Sequence, residues 1–129
     1  MPINYLIIQS LKKYSEFYDG SLTVEYPTGS GEFLKLSEVT YELIKRITSL
    51  FELDKQNHRR LHGEQNWFYS RPENRDLLLF YEYFHGDTGC GLGASHQTGW
   101  TALIAELINE IAEKLPDVEK RPVMQQEKE

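Results

Sequence analysis

The chain has 129 residues, one domain's worth, with 40% apolar and 26% charged residues, an ordinary balance for a soluble globular fold. Its net charge of −6 argues against nucleic acid and anionic membrane as partners, since both attract basic surfaces. No apolar run is long enough to span a bilayer, no secretory leader is visible, and the single cysteine, Cys90, excludes an internal disulfide and fits a reducing, cytoplasmic setting.

The first element expected is a helix over MPINYLIIQSLKKYSEFY. Apolar residues at positions 3, 6, 7, 11 and 14 trace one face, and Pro2 suits a first turn. Ile8 and Phe17 widen that stripe, which implies packing on two sides. Asp19-Gly20 stops the helix. Residues 21–35, with TVEYPTGSGEF, read as a loop with short extended pieces around Pro27 and Gly29-Ser30-Gly31. A second helix is predicted from about Glu38 to Phe51, capped by Ser37, with Val39, Leu43, Ile44, Ile47, Leu50 and Phe51 on its apolar face. Residues 54–76 are polar and irregular, long for a simple connector, with Trp67 and Phe68 expected to pin them.

The stretch from Leu77 to Trp100 organises the rest. Its apolar run, Leu77 to Phe84, is broken only by Glu82 and reads as a buried strand. Five glycines (Gly86, Gly89, Gly91, Gly93, Gly99) then share fifteen residues with His85, Asp87, Ser95, His96 and Gln97. Glycine at that density bends the backbone and allows close approach. The pattern is a strand delivering one acid to a polar loop, with a helix at the far end. That helix is predicted from Gly99 or Trp100 to about Leu115, with Thr98 as N-cap, an apolar stripe from Trp100 to Ile111, and Pro116 as its stop. Residues 116–129 form a charged tail expected to be disordered.

Glu82 is the leading catalytic candidate, because a carboxylate fixed on a strand among aromatics can activate a water. The bland alternative is an acid on the open face of an edge strand. Glu82, His85, Asp87 and His96 match no strong metal-ligand spacing, so no metal and no cofactor are expected. Cys90 among glycines reads as a small residue rather than a nucleophile. Gly29-Ser30-Gly31 lacks the ending of a phosphate loop and reads as a turn. His96 and Gln97 offer hydrogen bonds to hydroxyls, and Trp100 is either a stacking surface or core. Arg59-Arg60 reads as a solvated or ion-paired knot.

NYLIIQSL, the PTGSG loop, RRLHG and above all FYEYFHGDTGCGLGASHQTGW resemble the C-terminal end of bacterial glycoside hydrolase family 63 proteins, over roughly residues 2 to 114. Those are glucosidase-like, inverting enzymes built on an (α/α)6 barrel. The resemblance implies an all-α fold, the final helices of a toroid with a short strand-like segment, in which residues 1–115 are the C-terminal portion of an incomplete barrel. It places the general base on Glu82 and substrate contacts on Tyr81, His85, His96, Gln97 and Trp100, with an α-glucosyl-type carbohydrate as substrate. The family's general acid, an aspartate, lies upstream of the matching part. An upstream barrel fragment, or self-association, is therefore the expected protein partner. The alternative is a non-catalytic helical interaction module, or the remnant of a split gene, docking on a larger barrel.

Overall fold

The computed structural model describes residues 1–114. Helix α1 (Pro2–Phe17) opens the chain, and Pro2 occupies the first turn, where an N–H would have no partner. Its buried face is the one centred on Ile8, with Met1 and Tyr5 packed partly on the core. The stripe expected to be covered, Ile3, Leu6, Ile7, Tyr14 and Phe17, faces outward instead. One face of this helix meets the rest of the chain, where two were expected to.

The short extended pieces expected around Pro27 lie to either side of it and pair as a hairpin. Strand β1 (Thr23–Glu25) pairs antiparallel with β2 (Phe33–Lys35), with Val24 opposite Leu34. Strand β2 runs directly into α2 (Leu36–Thr48). The helix therefore starts before Ser37, the expected cap. Its first turn is closed by Glu38, whose carboxylate accepts from the Lys35 N–H at 2.7 Å. Leu36, Val39 and Ile44 are buried on one side, and a tight turn (Phe51 N–H to Thr48 O, 2.9 Å) ends the helix early and carries Phe51 into the core.

Residues 54–76 are held by a short 3-10 turn (Arg60–Gln65) and one turn of helix, α3 (Asn66–Tyr69). The pins are Leu61 and His62, both buried, while Trp67 and Phe68 are exposed. Arg59 explains this. Its guanidinium donates to the carbonyls of Phe51 (2.9 Å) and Arg75 (2.6 Å), strapping both ends of the segment and drawing the next residues inward. Trp67 lies outside, beneath the Arg71 guanidinium at 5.1 Å.

The expected strand from Leu77 to Phe84 is cut short, with Leu77 and Leu78 exposed. Only β3 (Tyr83–Phe84) pairs regularly, antiparallel to β4 (Gly91–Leu92), and Phe80 forms a single parallel bridge to His96. A strand exists only where a partner backbone lies alongside it, and residues 91–97 are long enough to serve only residues 80–84. With two hairpins among its helices, the fold is mixed and mainly helical rather than all-α, and no barrel closes among the described residues.

The last helix is two. A turn, α4 (Thr98–Thr101), and α5 (Ile104–Lys114) are separated at Ala102–Leu103, and Gln97 rather than Thr98 precedes the first. The expected stop at Pro116 and the tail lie outside the described residues. Helices α1 and α5 both pack on α2. The core is Ile8, Ile44, Phe51, Leu61, Tyr81, Ile104 and Leu107. No helix among the described residues is long and apolar enough to cross a membrane.

Candidate functional site

The central segment returns on itself so that residues 80–84 lie against residues 91–97. Three backbone bonds outside the regular pairing fasten it: Glu82 N–H to Ala94 O (2.9 Å), Gln97 N–H to Phe80 O (2.7 Å) and His85 N–H to Cys90 O (2.8 Å). Glu82 thus sits on a short rail whose backbone is fixed on both sides. Its carboxylate is exposed, and one oxygen accepts from the Ala94 N–H at 3.3 Å. The other oxygen has no protein donor among the described residues. A carboxylate oriented by one amide and otherwise open can take a proton from a water.

Gly93 is required for that arrangement. Its φ is +74°, and a Cβ there would lie 2.7 Å from a Glu82 carboxylate oxygen and 2.8 Å from the Tyr83 ring. Any side chain would push the acid off its position. Gly91 has the same relation to Tyr81, whose ring carbons come within 2.1 Å of where a Cβ would be.

The other candidates fall into three groups. Tyr81 is buried in the core, and burial pushes its phenol above the usual tyrosine range. The exposed aromatics of this segment are therefore Tyr83 and, at the start of α4, Trp100. His85 is exposed, and its Nδ1 accepts from the N–H groups of Asp87 (3.2 Å) and Thr88 (3.4 Å). With Nδ1 accepting, the ring nitrogen left to donate is Nε2. His96 and Gln97 are exposed, and their backbones close the rail against Phe80. The Gln97 carbonyl also accepts from the N–H groups of Trp100 (3.0 Å) and Thr101 (2.8 Å), which starts α4 and sets Trp100 beside the same loop. Among the described residues no group of three or more His, Cys, Asp or Glu is placed to hold a metal ion.

Behind the rail lies a cavity of about 720 Å³, walled by His62 and Gln65 on one side and by Tyr81, His85, Cys90 and Gly93 on the other. His62 was quoted above only within RRLHG, yet it is 2% exposed, stacked on Tyr69 with ring centres 4.0 Å apart, and its Nε2 has no hydrogen-bond partner among the described residues. Burial, with the Arg59 charge adding to it, lowers its pKa to about 4. The ring is neutral at physiological pH. A histidine between Leu61 and Gly63 was the available signal, since a leucine before it marks the segment's inward turn.

Comparison with known proteins finds a relative of this chain. The chain is 46% identical over 112 residues to the uncharacterized protein YMR196W of Saccharomyces cerevisiae. The match covers 85% of this chain but 10% of that protein, so the chain spans about a tenth of the length of the relative it resembles. No family model matches the chain, and no solved structure matches it.

Proposed function

We propose that this chain carries the general-base half of an inverting glycoside hydrolase site acting on α-glucosyl-type carbohydrate, with Glu82 as the base. The observation that carries the reading is the exposed Glu82 carboxylate, held by the Ala94 amide and given room only by Gly93. In the reaction Glu82 removes a proton from a water. The water oxygen attacks the anomeric carbon while the glycosidic C–O bond breaks, and a second acid protonates the departing oxygen. The two carboxyl groups of such a pair stand about 6.5–9.5 Å apart to admit the water. The family resemblance puts that acid in sequence upstream of the matching part, and a complete (α/α)6 toroid around these helices goes with the same reading. Trp100 and Tyr83 offer apolar ring faces, and His85, His96 and Gln97 offer donors and acceptors for hydroxyls. A cytoplasmic location accompanies the proposal on the single thiol alone.

The test is an amide NMR titration of the whole chain with maltose and with a basic iminosugar that mimics the charged transition state. Shifts centred on residues 82–100, stronger for the iminosugar and abolished for it by Glu82→Gln, are expected. Absence of any shift in that region, or identical iminosugar binding by Glu82→Gln, would refute the assignment.

The second reading, a non-catalytic interaction module, is favoured by a different observation: the apolar stripe that α1 turns outward.

A further inference from the structure

We draw no further inference here: the strongest candidate, the cavity of about 720 Å³ between the 3-10 turn and the β3–β4 hairpin, with the buried His62 in its wall, belongs to the site already described, sharing Tyr81 and His85 with it.

Discussion

At the scale of single residues, His62 is the clearest case of environment overriding type. Its ring is sealed between Tyr69 and the core, and protonation would place a charge where no partner waits. The folded chain holds it near pKa 4, below the ordinary 6.5, so the unfolded chain binds the extra proton between those values. Stability from this group is therefore complete above about pH 6.5 and is lost as pH falls toward 4. At ~1.4 kcal/mol per pH unit the whole window is worth up to about 3 kcal/mol. Urea unfolding at pH 7, 6 and 5 should show a falling midpoint, with most carboxylates still ionised. In His62→Phe, which keeps a ring on Tyr69 but cannot titrate, the slope over this range should flatten. An unchanged slope would place the titration elsewhere.

At the scale of elements, the rail bearing Glu82 and the short helix α4 are tied by one buried bond. The Thr101 hydroxyl donates to the Tyr81 carbonyl, and Thr101 is wholly buried. This bond explains why the apolar pattern from Trp100 to Ile111 breaks into two helices. The turn carrying Thr101 follows the rail, while α5 follows α2 through Ile104 and Leu107, both buried in the core. Thr101→Val keeps the shape and removes the donor, leaving a buried carbonyl unmet, so it should cost about 1–3 kcal/mol. The loss should appear in the chemical denaturation midpoint together with amide shifts at residues 81 and 82. A variant as stable as the parent, with those amides unmoved, would show that α4 and the rail are independent.

At the scale of the whole molecule, the proposed chemistry needs two acids on opposite sides of a sugar, and the resemblance assigns this chain one of them. Purified chain alone is expected to release nothing above blank from a panel of aryl α-glucosides and α-linked disaccharides. Turnover that disappears in Glu82→Gln would show instead that both groups reside here. The apolar side chains left outward on α1, together with exposed Phe33, Trp67, Leu77 and Trp100, are a further sign that this core alone does not cover its own apolar surface.

The sequence by itself determined what local chemistry decides. Apolar periodicity located α1, α2 and α5; Asp19-Gly20 placed the end of the first; and the glycine-dense stretch after Glu82 marked a segment where the backbone is bent into a loop around an acid. Tertiary contact decided the rest. Period alone cannot tell which apolar face of α1 meets a neighbour, and Ile8 won over Ile3 and Ile7 because α2 lies on that side. Nor does an apolar run become a strand unless another backbone lies beside it, which is why Leu77 and Leu78 stayed outside while Tyr83 and Phe84 paired. His62 and Gly93 follow the same logic. The burial of one and the indispensability of the other come from residues distant in sequence, Tyr69 and Glu82, and such pairings are fixed only when the chain has folded.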